Sequence, residues 1–140
     1  RNLTPHGVVI SWNKSKPVYI SMEKFQFEQM LTNLCLNAFE AVDGTADNVV
    51  RIAISTLQEY VVISVEDTGH GMDEAVRERI FDVYFTTKHK GTGLGLPMVF
   101  AIVRQNGGYI DVESTPGQGT KFSIYLPVVN KVLQGTNCTL

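Results

Sequence analysis

Two glycine clusters, Asp67-Thr68-Gly69-His70-Gly71-Met72 and Gly91-Thr92-Gly93-Leu94-Gly95-Leu96, constrain this chain more than any other feature. Glycine lets backbone approach a ligand closely and adopt positive φ, at an entropic cost that ordinary loops avoid. The second cluster runs straight into Pro97-Met98-Val99-Phe100-Ala101-Ile102-Val103, a helical pattern with proline near its start, where a missing N–H does no harm. A helix that opens on glycine presents free N–H groups and the positive end of its dipole, which suits phosphate. Between the clusters lie a short polar helix and a loop carrying Phe81, Phe85, Thr86, Thr87 and Lys88. Clusters of this kind, joined by a cation-bearing connection, describe a pocket for a phosphorylated ligand with a lid.

The rest of the chain supplies the frame. At 140 residues it is long enough for one domain with a full core. A net charge of −2 and a pI near 5.9 leave no basic stripe to displace phosphate counterions, which argues against a nucleic-acid partner. Cys35 and Cys138 form no disulfide framework; Cys35 sits in an apolar helix as a buried thiol, and a reducing compartment fits better than an oxidising one. No apolar run reaches membrane-spanning length and no signal-peptide pattern is present. The chain begins at Arg1 rather than methionine, which fits a piece of a longer protein.

Taken in order, residues 8–12 and 18–20 read as short strands around a Lys14-Ser15-Lys16-Pro17 turn. The first strong helix spans Glu23 to Val42, with Phe27, Met30, Leu31, Leu34, Ala38 and Ala41 at the spacing of a core face. Its other face carries Gln29, Asn33, Asn37 and Glu40. Asparagine is a poor interior helix former, because its side chain competes for backbone hydrogen bonds. Two asparagines one turn apart suit oxygen ligation of a hard cation such as Mg²⁺, although a solvated face carries the same residues. Strands over Val49–Leu57 and Tyr60–Glu66 alternate in part and meet at a tight turn near Gln58-Glu59. The second delivers Asp67, which can accept a hydrogen bond from an exocyclic amine such as that of adenine; Asp-Thr-Gly also makes an ordinary turn. Asp73 caps a short helix over Glu74–Ile80. Phe81 and Phe85 then stand in a polar loop, as latches of the lid or as core edge, and Lys88 and Lys90 can meet terminal phosphates. A helix from Leu96 to Gln105 ends at Asn106-Gly107-Gly108, residues that accept a left-handed cap. Tyr109–Glu113 and Thr120–Leu126 are strands, Pro127 ends the second, and residues 128–140 read as a tail or linker.

In this order, Asn33-x-x-x-Asn37-Ala38, Asp67-x-Gly69-x-Gly71, Phe81 with Phe85-Thr86-Thr87-Lys88, Gly91-x-Gly93-x-Gly95-Leu96 and Gly117-x-Gly119-Thr120-x-Phe122 resemble the N, G1, F, G2 and G3 boxes of the catalytic ATP-binding domain of sensor histidine kinases. The resemblance covers residues 8–127, and residues 1–127 make one such domain. It implies the α+β Bergerat-type sandwich: a mixed, mostly antiparallel sheet covered on one face by about three helices, with an ATP lid. It implies ATP and Mg²⁺ as cofactors, Asn37 as the metal ligand, and Asn33 and Lys88 beside it in the catalytic set. Asp67 takes the adenine amino group, helped by Thr120 through water. Gly69 and Gly71 pass close to the base, and Gly93, Leu94 and Gly95 offer N–H groups to the phosphates. Met72, Phe81, Phe85, Thr87, Gly91 and Leu96 complete the nucleotide contacts. The resemblance departs at Glu40 and Ala41, where many members carry a basic and an aromatic residue. This shifts weight onto Lys88 and the apolar wall.

None of His6, His70 and His89 lies on a helical hairpin before an acidic residue, so the phosphoacceptor is not among them. The resemblance therefore implies a protein-histidine kinase domain whose partners are a separate dimerising helical domain that carries the histidine and, downstream, a response-regulator receiver. The fragment alone is expected to be monomeric and inactive in autophosphorylation, in a homodimeric parent. The domain is expected in the cytoplasm, with an inner-membrane anchor open to the parent. An ATP hydrolase of the same superfamily is the alternative, and a degenerate nucleotide-binding module a further one. Hydrolases place a glutamate one turn before the Mg²⁺ asparagine, where this chain has Asn33, an amide that cannot act as a base.

Overall fold

The computed structural model describes residues 7–12, 17–45, 48–83, 85, 95–129 and 137–139. Among these residues, seven strands form one sheet with helices packed against it. They are β1 (Gly7–Trp12), β2 (Tyr19–Ser21), β3 (Val49–Leu57), β4 (Tyr60–Asp67), β5 (Tyr109–Thr115), β6 (Gly119–Val129) and β7 (Asn137–Thr139). The helices are α1 (Lys24–Val42), α2 (Glu74–Arg77) and α3 (Gly95–Gln105). The sheet order is β1-β3-β4-β6-β2-β7, with β5 also on β6. Only β1 and β3 run parallel among the described pairs. This is the mixed, mostly antiparallel α+β architecture that the sequence implies.

Period-two patterning selects the buried face. Val61, Ile63 and Val65 of β4 are buried, as are Phe122, Ile124 and Leu126 of β6, with Ile110 and Val112 of β5 packed beside them. Met30, Leu34, Ala38 and Val42 of α1 and Val99, Ile102 and Val103 of α3 close over this face. Glu23 caps α1 by accepting the Phe25 N–H at 3.0 Å. Asp73 caps α2 by accepting the Val76 N–H at 2.9 Å, as the sequence implies. At the end of α3, Gly107 takes φ 77° and the Gly108 N–H reaches Val103 O at 3.0 Å, the expected left-handed cap.

Some boundaries differ from the sequence reading. The helix expected over Glu74–Ile80 stops at Arg77, because tighter three-residue bonds (Arg79 N to Val76 O and Asp82 N to Arg79 O, both 2.9 Å) replace the helical ladder. Pro127 does not end β6, and the stretch after it is not all tail. The Val128 N–H bonds Glu59 O at 2.8 Å, so the side of Pro127 that lacks an N–H faces away from β4. On that side Pro127 falls in the gap between the last β5 pair, at Tyr125, and the first β2 pair, at Val128. Val128 and Val129 go on to pair with β2, and Asn137–Thr139 add β7 to the other side of β2.

Candidate nucleotide-binding site

The site begins where the apolar face of the sheet ends. Along β4 the buried set Val61, Ile63, Val65 is continued by Asp67, so the same alternation that builds the core carries a carboxylate inward. Asp67 stands opposite Thr120 on β6, and Thr120 stands opposite Ser114 on β5. Three strands thus end their inward rows in polar side chains at one register. Asp67 is 3% exposed and Thr120 6%. Burial pushes the Asp67 carboxyl above its ordinary value, against the smaller opposing pull of the Gly69 and Thr120 N–H groups and His70. The Gly69 N–H donates to Asp67 Oδ1 at 2.9 Å. Ser114 and Thr120 share a hydroxyl bond of 2.8 Å, and the Met72 N–H donates to Ser114 Oγ at 2.8 Å.

The loop after β4 passes through gaps that a side chain would fill. A Cβ on Gly69 would collide with the Ala41 carbonyl at the end of α1, and one on Gly71, at φ 69°, with the Thr115 carbonyl. This packing gives the Ala41 departure a structural setting: a small residue at the end of α1 lets the loop lie against the helix.

A second wall is the seam between α1 and α3. Asn33 is half-buried on α1, and its amide donates to Gln29 O at 3.0 Å and approaches Met98 Sδ at 3.6 Å. Gln29 Nε2 reaches the same sulfur at 3.5 Å. Gly95 opens α3 directly over Asn33, where a Cβ would lie 3.4 Å from Asn33 Oδ1. Asn37 lies one helical turn further along α1, half-buried. Leu96 and Met72 pack on the core. Phe81 lies against Phe100 of α3 at 5.1 Å with the rings tilted by 31° and meets Phe122 edge-on at 6.5 Å, so its ring joins helix to sheet. Phe85 lies under the Arg79 guanidinium at 4.4 Å. Thr87, Lys88, Gly91, Gly93 and Leu94 lie outside the described residues.

The structure thus brings Asp67, Gly69, Gly71 and Thr120 together at the sheet end, and Asn33 and Gly95 at the helix seam. Ser114, Met98 and Arg79 are additions that the sequence reading lacks. Ser114 was legible in principle, since it continues the Ile110, Val112 alternation of β5 as Asp67 continues that of β4. Met98 carried no signal beyond its place in an apolar helix. The donor set suits the groups that the resemblance implies: a buried acceptor beside side-chain-free backbone for a purine amine, and amide oxygens on α1 for a hard cation. Among the described residues no cluster of His, Cys, Asp or Glu offers a rival metal site.

Residues 22–130 match the family described as "Histidine kinase-, DNA gyrase B-, and HSP90-like ATPase", and the chain belongs to that family. Among curated proteins it is 44% identical over 117 residues to Sensor kinase CckA of Brucella abortus, covering 73% of this chain and 12% of that protein. The catalytic domain of histidine kinase ThkA, in a nucleotide-free form, superposes with a TM-score of 0.75 at 29% identity, over 86% of this chain and 78% of that one. Full-length ShkA, solved in complex with AMPPNP, gives a TM-score of 0.70 at 27% identity, over 90% of this chain and 27% of that one. The chain spans 12% to 23% of the length of the first curated relatives it matches.

Proposed function

We propose that this domain binds Mg-ATP and presents the γ-phosphoryl group to a histidine on a dimerising helical domain, as the catalytic part of a two-component sensor kinase. The observation that carries the reading is the buried Asp67, aligned with Thr120 and backed by backbone that no side chain shields. A carboxylate there accepts from the exocyclic amine of adenine and rejects the carbonyl of guanine. Asn37 is the metal ligand, with Asn33 beside it, and the ion neutralises charge on the phosphates when bound. The N-terminus of α3 at Gly95 faces the phosphates, and Lys88 supplies a lid cation. Transfer asks for positioning and charge neutralisation rather than a covalent protein group, so such a pocket suffices. The attacking nitrogen belongs to the incoming histidine, and ADP leaves. Transfer is favoured over hydrolysis because Asn33, held by Gln29 O, is an amide and cannot activate water. The phosphorylated histidine then serves a receiver domain.

The test is calorimetric titration of this chain with a non-hydrolysable ATP analogue, with and without Mg²⁺, and with a GTP analogue as control. Adenine-selective binding strengthened by Mg²⁺ is expected. Absence of binding in both conditions would sink the proposal. Adding a helical phosphoacceptor domain from a similar kinase then reads transfer directly.

A further inference from the structure

The face of the sheet turned away from α1 and α3 is open among the described residues, and strand register sorts its side chains into rows. One row is charged. Arg51 on β3 stands opposite Glu66 on β4, Glu66 opposite Lys121 on β6, and Lys121 opposite Glu113 on β5. The signs alternate across four strands, and among the described residues none of these four closes an ion pair within the chain. Further along the same strands a second row runs Ser55, Val62, Tyr125, Tyr109. Its two tyrosine rings stack at 4.4 Å with 7° between their planes, Tyr60 meets both edge-on, and Tyr109 is 46% exposed. This row is small at its β3 end and bulky at its β5 end. Between the two rows lie Ala53, Ser64, Ser123 and Asp111.

We infer that this face docks a second copy of the chain, sheet against sheet, about a two-fold axis that runs along the strands between β4 and β6. Such an axis reads each row backwards onto itself, so β3 of one copy faces β5 of the other and β4 faces β6. Alternation over an even number of strands then yields only opposite pairs: Arg51 faces Glu113 and Glu66 faces Lys121, each twice. A row of one sign, or one alternating over three strands, would meet itself with like charges. The second row fits the same operation, with Tyr109 over Ser55 and Tyr125 over Val62, bulk against small side chains. Asp111 comes over Ala53, beside the Arg51 guanidinium. Sheets packed in this way lie about 10 Å apart with their side chains filling the gap. The tyrosines supply the apolar burial, and the charges fix register more than strength. Four short strands make a patch at the small end of specific interfaces, so association depends on concentration. The expectation of a monomeric fragment then holds for the dilute chain. Both nucleotide pockets lie on the helix-covered side and stay open, so the inference does not rest on what they bind.

The experiment is sedimentation equilibrium of the chain from micromolar concentration to about 1 mM, at low and at high salt. The mass should rise from 15.5 kDa toward twice that value, and added salt should move the rise to higher concentration. Arg51→Glu and Glu113→Arg each place two like-charged pairs across the axis, and each should weaken association at least about tenfold. Mixed together, the two variants should recover the native dimer, because Glu at 51 of one chain then faces Arg at 113 of the other and the second pair is native. Circular dichroism confirms that each variant is folded. Should a reversal unfold the chain, Arg51→Gln and Glu113→Gln add no like-charged neighbour within the sheet, and both should lower the dimer fraction more at low salt than at high. A native chain that is monomeric at about 1 mM overturns the inference. So does a dimer that ignores these substitutions, or one that the mixture fails to restore, since the copies then meet through another face.

Discussion

The two walls of the pocket are built by different means. At the sheet end, Asp67, Thr120 and Ser114 are placed by strand register, and a one-residue slip of any one of their strands would turn its member outward together with the core residues behind it. At the helix seam, Asn33 and Gln29 lean on the sulfur of Met98, a weak acceptor on an unbranched, adaptable side chain. The first wall is as rigid as the core that specifies it. The second can repack without disturbing the sheet. On the function proposed above, a nucleotide would use both properties: one fixed edge to read a planar base, and one adjustable edge for phosphates and a cation.

This contrast is breakable by substitution. The largest effect is expected from Gly71→Ala, which places a Cβ against the Thr115 carbonyl at a positive φ. Loss of about 3 kcal/mol of stability in urea denaturation is expected from combined strain and clash. Tolerance of that change would mean that the sheet-end wall is softer than described.

Asp67→Asn should weaken an ATP analogue by roughly tenfold to a hundredfold in calorimetry, the range for a hydrogen bond to a charged group. Binding of a GTP analogue, which gains nothing from the carboxylate, should not fall with it. The same variant has a pH signature. Because the folded carboxyl titrates above its ordinary value of 3.8, its contribution to stability is fully present below that value and is lost as pH rises through the folded one. An amide does not ionise. The unfolding free energy of the variant relative to the native chain should therefore rise from about pH 4 upward and level off once Asp67 is fully charged.

At the seam, Asn37→Ala should bring the ratio of affinities with and without Mg²⁺ to about one, while the melting temperature stays near that of the native chain. Survival of the Mg²⁺ dependence would remove Asn37 from the metal site. The smallest change is expected from Met98→Leu, which conserves volume and should cost less than about 1.5 kcal/mol. A larger loss, in thermal unfolding, would show the seam to be as exacting as the sheet end.

The two walls also differ in how far the sequence disclosed them. The apolar alternation of β4 was plain, and Asp67 falls on it. Its burial follows from period-two geometry even though the triplet Asp-Thr-Gly also suits a turn. Ser114 escaped notice because serine ends a strand without signalling whether it faces a partner, and its value lies in a cross-strand neighbour six residues away in the chain. Met98 was illegible for a related reason, since its role depends on which residues of α1 it meets across the helix pair. Pro127 misled in the opposite sense. A proline usually closes a strand, but here it falls in the gap between the β5 ladder, which ends at Tyr125, and the β2 ladder, which begins at Val128.

The position of β6 has a consequence for the order in which the molecule can be made. β6 lies between β4 and β5 along one half and joins β2 with the other, yet it is the last long strand in the sequence. A ribosome releases α1, β3 and β4 well before it. Until residue 129 has emerged, the nascent chain holds an apolar β4 edge with no neighbour, and β2 has no place in the sheet. Assembly of the wall that joins Asp67, Thr120 and Ser114 is therefore a late event in synthesis, set by the order of the strands along the chain.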